Sequence, residues 1–144
     1  MVATDGTPVE PSPPPDPPIR GKHILVVDDE PWILEILTAI LVADGHQVDT
    51  AADGRQALTN IEQHSFDLIV CDMRMPNLDG PGLYAALGRS HPEMVARVLF
   101  VTGSAVDPEI EQFLEHTRAP YLLKPFTLDE VRHRTQALLR GATP

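Results

Sequence analysis

Ile24-Leu25-Val26-Val27-Asp28-Asp29-Glu30 is an apolar run that ends abruptly in three acidic residues. A short stretch that is apolar at every position, not at alternate ones, suits a strand buried on both faces. Such strands belong to parallel sheets covered by helices on each side. The same pattern recurs downstream. Leu68-Ile69-Val70-Cys71 runs into Asp72, Val98-Leu99-Phe100-Val101 into Thr102, and Tyr121-Leu122-Leu123 into Lys124-Pro125. A weaker strand from Gln47 to Ala51 completes a set of five.

Amphipathic segments fill the gaps. Ile33, Leu34, Ile36, Leu37, Ile40 and Leu41 recur at helical spacing, with Pro31 suited to the first turn and Gly45 to the C-terminal cap. Asp53 caps a helix carrying Ala57, Leu58 and Ile61, and Leu83, Ala86 and Leu87 mark another after the loop Pro76 to Pro81. Asp107-Pro108-Glu109 opens a helix with Ile110, Phe113 and Leu114. Thr127-Leu128-Asp129-Glu130 reads as a capping box, with Phe126 and Val131 placed for a hydrophobic staple, ahead of a last helix carrying Leu138 and Leu139. Five strands alternating with five helices through right-handed crossovers predict a doubly wound α/β fold. Residues 1–20 read as a proline-rich, disordered or polyproline-like arm or linker, residues 22–140 as the domain, and 141–144 as a tail.

The chain has 144 residues, the size of one domain with one good core. Lys plus Arg number 11 against 21 Asp plus Glu, a net charge of −10. That balance argues against direct nucleic-acid binding and against docking on anionic membranes. It favours basic partner surfaces or divalent cations. A single cysteine, Cys71, permits no internal disulfide and fits a reducing compartment. No apolar run approaches the roughly 20 residues of a membrane span, so no membrane insertion and a cytoplasmic location are expected. Only Gly141-Ala142-Thr143-Pro144 follows the last helix, so the expected output is contact with another protein or onward relay to one.

Polar residues at the strand ends carry the chemistry. In an open parallel sheet, ligands bind beyond the carboxyl ends of the strands, at the switch point in strand order. Asp28, Asp29, Asp72, Thr102 and Lys124 are therefore expected to converge on one edge. Carboxylates brought together raise one another's pKa values, and a hard cation such as magnesium removes the conflict. Such an ion bridges carboxylate and phosphoryl oxygens, and one carboxylate can then serve as nucleophile. Lys124 supplies a point charge and Thr102 a short hydroxyl donor.

These stretches, with Asp67 through Met73-Arg74-Met75-Pro76, Asp79-Gly80, Val101-Thr102-Gly103 and Leu123-Lys124-Pro125-Phe126, resemble a response-regulator receiver domain of two-component phosphorelay signalling. The resemblance covers about residues 22–140. It implies a flavodoxin-like, CheY-like sheet of order 2-1-3-4-5. It implies that Asp72 accepts a phosphoryl group from a histidine kinase or histidine phosphotransfer protein, in a signalling domain that catalyses only its own phosphorylation and dephosphorylation. Asp28, Asp29, Asp72 and the backbone carbonyl of Arg74 would hold Mg²⁺, Lys124 would bind the phosphoryl group, and the Lys124–Pro125 bond would be cis. Thr102 would swing toward the phosphate with Tyr121 following, and a downstream protein would read the face of the fourth helix, fifth strand and fifth helix. Arg74 and Ser104 occupy positions that tune phosphoryl lifetime in this family, and Gly103 stands where Ala is usual. Arg97 through Gly103, Phe113-Leu114 and Leu123 through Phe126 are similar to receivers of hybrid histidine kinases, for which the arm would be an excised linker.

Plainer readings stand beside these. Asp28 and Asp29 suit a helix N-terminus, Tyr121 suits a core, and Cys71 suits a small buried hydrophobe. His23, His46, His64, His91, His116 and His133 lack metal-ligand spacing and read as surface or edge residues. Trp32 either covers the acidic site or packs. A pseudo-receiver would lack the acidic pair, the acceptor or the lysine, and all are present. An aspartyl phosphatase would place a second Asp two residues after the nucleophile, where this chain has Arg74. A flavodoxin-like cofactor carrier would need a Ser/Thr/Gly-rich loop after the first strand.

Overall fold

The computed structural model describes residues 18–103 and 107–141. The expectations for residues 1–17 of the arm, for Ser104 and for residues 142–144 of the tail lie outside the described residues. Five strands form one sheet: β1 (His23–Val27), β2 (Gln47–Ala51), β3 (Leu68–Asp72), β4 (Val98–Thr102) and β5 (Tyr121–Leu123). All four pairings are parallel and the order is β2-β1-β3-β4-β5. The helices are α1 (Pro31–Ala43), α2 (Gly54–Gln63), α3 (Gly80–Ser90), α4 (Pro108–Thr117) and α5 (Leu128–Gly141). The doubly wound fold is thus as expected. A 3₁₀ turn at Pro92–Arg97, held by buried Met94 and by Arg97 Nη1 donating to the Phe66 carbonyl at 3.1 Å, is an addition to it.

Strand alternation divides the core into two layers. Ile24, Val26, Leu68, Val70, Leu99 and Val101 face Ile33, Leu37, Leu41, Val131 and Leu139 of α1 and α5. Leu25, Val27, Ile69, Cys71 and Phe100 face Ala57, Ile61, Leu83, Leu87, Ile110 and Leu114 of α2, α3 and α4. Because successive strand residues point to opposite faces, a strand can be apolar throughout only with helices on both sides.

Local signals set the helix ends. Asp53 accepts from the Gln56 N–H at 2.9 Å and Asp79 from the Gly82 N–H at 2.9 Å. Thr127 and Glu130 exchange both capping-box bonds, at 2.8 and 3.1 Å. At the end of α1, Gly45 takes a φ of +90°. Its N–H donates to Val42, and the His46 N–H donates back to Leu41. This is a Schellman turn, which folds the residue after the glycine onto the helix. His46 is consequently 4% exposed, which corrects the surface reading of that histidine. Its Nδ1 accepts from the Lys22 N–H at 3.3 Å, and burial pushes its pKa below the usual value.

The packed unit also begins before residue 22. Gln136 on α5 clamps the backbone of Ile19, accepting its N–H at 2.7 Å and donating to its carbonyl at 2.9 Å, and Ile19 joins the α1/α5 layer.

Candidate functional site

β1 lies between β2 and β3, so the chain reverses its direction of travel across the sheet there. The crevice at that point opens between the ends of β1 and β3, where Asp28 and Asp72 stand. Asp28 is buried, and its Oδ1 accepts from the Glu30 N–H at 2.9 Å. Asp72 is buried, and its Oδ1 accepts from the Met73 N–H at 2.9 Å. Asp29 is exposed at the rim. Oxygens of Asp28, Asp29 and Asp72 lie within 4.8 Å of one another.

Lys124 reaches across from the end of β5. Its Nζ donates to Asp28 Oδ2 at 3.4 Å, Glu30 Oε1 at 3.3 Å and Asp72 Oδ1 at 3.5 Å. The backbone aims it. The Lys124 N–H donates to the Thr102 carbonyl at 2.8 Å, and the Lys124–Pro125 bond is cis. Thr102 is buried at the end of β4 and lines the cleft with Asp29, Glu30, Asp72 and Lys124. Tyr121 opens β5, half-buried, in register with Phe100.

Tight packing fixes the end of β3 that carries Asp72. A Cβ on Gly80 would meet the Asp72 carbonyl at 2.7 Å and the Phe100 ring at 3.1 Å. Only a glycine lets the start of α3 approach this closely. Gly103 differs: a Cβ there would meet nothing within 4 Å, so packing does not require that glycine.

Charge is in excess here. Burial, and then the neighbouring Asp28 carboxylate, push the Asp72 carboxyl up to about 6, against the pull of Lys124 and the Met73 N–H. Burial likewise raises Asp28. Burial works against the charged form of Lys124, but Asp72 and Asp28 outweigh it and raise its pKa. For Asp72 the sign of the stability effect follows directly. An unfolded carboxyl loses its proton near pH 4 and the folded one near 6, so folding takes up a proton in between. Stability therefore falls as pH rises through that window, by about 3 kcal/mol once above it. Urea unfolding of the metal-free protein at a series of pH values measures this.

Sequence reasoning did not assign Glu30 to Lys124, although Glu30 closes the acidic run after β1. It also missed the pairing of Arg74 with Asp107 and, at 3.6 Å, with Glu109. Trp32 is 56% exposed, donates from its indole N–H to Glu30 Oε2 at 3.3 Å, and flanks Lys124, Pro125 and Phe126. It is a rim residue, not a core one. Cys71 is buried, with burial pushing its thiol well up and its Sγ 3.1 Å from the Asp72 carbonyl oxygen, so it is inert.

The donor set fits a hard divalent cation: three carboxylates whose mutual repulsion a magnesium ion would relieve, with oxygen ligands only. Among the described residues no helix is long and apolar enough to cross a membrane.

Comparison with known proteins agrees with this geometry. Residues 24–136 match the model of the response regulator receiver domain family. Over 122 residues the chain is 37% identical to the transcriptional regulatory protein TcrA of Mycobacterium tuberculosis, covering 85% of this chain and 47% of TcrA. It is 39% identical over 122 residues to the alkaline phosphatase synthesis transcriptional regulatory protein PhoP of Bacillus subtilis, covering 83% of this chain and 49% of PhoP. The chain thus spans about half the length of these curated relatives. The receiver domain of the sensor histidine kinase PA1611 from Pseudomonas aeruginosa, solved with magnesium coordinated in its active-site cleft, superposes with a TM-score of 0.74 at 30% identity, over 83% of this chain and 98% of that one. A receiver domain protein from Methanospirillum hungatei gives 0.76 at 29% identity, over 85% and 96%.

Proposed function

The chain belongs to the response regulator receiver domain family, and from that premise we propose that Asp72 accepts a phosphoryl group from the phosphohistidine of a histidine kinase or histidine phosphotransfer protein. The observation that carries this reading is Lys124 Nζ set among the carboxylates of Asp28, Glu30 and Asp72 at one sheet edge. Receiver domains are signalling domains, and this one acts on itself.

Asp28, Asp29, Asp72 and the Arg74 backbone carbonyl would hold magnesium, which when bound offsets charge on carboxylate and phosphoryl oxygens. Met73 and Lys124 hold Asp72 Oδ1, which orients Oδ2 for in-line attack. A P–O bond forms at Asp72 as the P–N bond to the donor imidazole breaks. The imidazole nitrogen keeps the bonding pair, and the ring leaves neutral because its other nitrogen carries a proton. The Lys124 ammonium then exchanges a carboxylate for a phosphoryl oxygen, and the Thr102 hydroxyl donates to another. Tyr121 follows inward, and the face of α4, β5 and α5 changes its affinity for a downstream protein. A cytoplasmic site of action, alongside the kinase domain, follows from the same reading.

Incubation with acetyl phosphate tests this, since an acyl phosphate is a donor without a partner protein. The intact mass is expected to rise by one phosphoryl group with magnesium present and to stay unchanged when the metal is chelated. Uptake that ignores magnesium would refute the metal-assisted reaction.

A further inference from the structure

Arg74 follows the acceptor by two residues, and its guanidinium pairs with Asp107 and lies 3.6 Å from Glu109 Oε1. Asp107 has a second task. Its Oδ1 accepts the Glu109 N–H at 3.0 Å and caps α4. Arg74 and Asp107 line the same cleft as Asp72, Thr102 and Lys124. A long cation at the mouth of the site is thus tied to the first turn of the helix that opens the output face.

The strength of that tie matters. The Arg74 side chain is 57% exposed, so charge and not packing holds it. Exposed ion pairs of this kind are worth about 0–1 kcal/mol. A phosphoryl group on Asp72 would bring nearly two negative charges and three acceptor oxygens into the cleft. Guanidinium binds such oxygens in bidentate fashion, and the competing carboxylates offer no comparable charge at one point.

We propose that Arg74 is an anion-exchange latch: it rests on Asp107 and Glu109 while Asp72 is unmodified, and transfers to the phosphoryl oxygens when Asp72 is phosphorylated. The exchange leaves Asp107, the N-cap of α4, and Glu109, in its first turn beside Glu111, without the Arg74 cation. Phosphorylation then turns that corner from a paired surface into an acidic one, suited to a basic partner. This rests on the reading of Asp72 as the acceptor.

A double-mutant cycle separates the two ideas. Beryllium fluoride with magnesium, a tetrahedral anion that mimics a phosphoryl group on a carboxylate, is titrated calorimetrically into the wild type, Asp107→Asn, Arg74→Gln and the double variant. Asn keeps a capping oxygen for α4 and removes the charge. Releasing Arg74 is expected to tighten binding in Asp107→Asn by about two- to five-fold, the scale of an exposed pair. Arg74→Gln weakens binding, and the double variant matches Arg74→Gln. An Asp107→Asn effect that is absent, or equal in both backgrounds, overturns the latch and leaves the acceptor reading intact. A general loosening of α4 would weaken both backgrounds alike and counts against the latch in the same way. A wild type that neither binds the mimic nor gains mass from acetyl phosphate removes the acceptor reading and the latch with it.

Discussion

Asp72→Asn is expected to take up no phosphoryl group from acetyl phosphate under conditions that modify the wild type fully, and to be the more stable protein without metal. The first effect follows from removing the proposed nucleophile. An amide oxygen in the same place carries no charge and is a poor nucleophile toward phosphorus, while Asp28, Lys124 and the fold around them remain. The second effect follows from the raised carboxyl. A pKa near 6 means that burial and Asp28 disfavour the charged form of Asp72 by more than Lys124 favours it. A neutral amide escapes that penalty. The variant should gain about 2–3 kcal/mol in urea unfolding at pH 7.5, and the gain should vanish near pH 3, about one unit below the unfolded value, where the wild-type carboxyl is protonated in both states. Magnesium should stabilise the wild type more than the variant. A variant that gains mass equally, or that is destabilised at pH 7.5, contradicts the roles given to this carboxyl.

Phe100→Ala should cost about 3–5 kcal/mol, the usual toll for truncating a buried aromatic residue. Against a total of about 5–15 kcal/mol for a domain, that is a large share. Phe100 is fully buried in the middle of β4. Its ring centroid lies 5.3 Å from that of Phe113 at an interplanar angle of 83°, and 5.8 Å from that of Tyr84. Edge-to-face contact of this kind contributes beyond area burial. Truncation opens a void beneath α3 and α4, where a Cβ on Gly80 would come within 3.1 Å of the ring. The backing of the Asp72 strand loosens with it. The shift in urea midpoint at constant slope measures the cost, and a loss under about 1 kcal/mol would mean that neighbouring side chains close the gap.

What the sequence revealed and what it hid have physical reasons. The apolar runs told of strands buried on both faces, and the polar residue ending each run told of the site, because both are local properties of a parallel sheet. Lys124 could be placed among the acids because it ends a strand of the same parallel sheet. That Glu30 shares Lys124, and that Arg74 turns away to Asp107, depend on how loops bring long side chains together, which periodicity does not report. The prolines before Ile19 read it into the arm, yet Gln136 clamps it from a position far along the chain. The burial of His46 is legible from its neighbour: Gly45 caps the first helix, and a capping glycine in the left-handed conformation folds the next residue inward.

On the proposed function, the phosphoryl group resides on Asp72. An aspartyl phosphate is an acyl phosphate, and borohydride reduces it to homoserine, leaving a permanent mark at the modified residue. The protein is treated with magnesium and acetyl phosphate, reduced, digested, and sequenced by tandem mass spectrometry. Homoserine is expected at position 72 and at neither Asp28 nor Asp29. Homoserine at another position, or a phosphorylated protein whose residue 72 remains aspartate, would contradict the account.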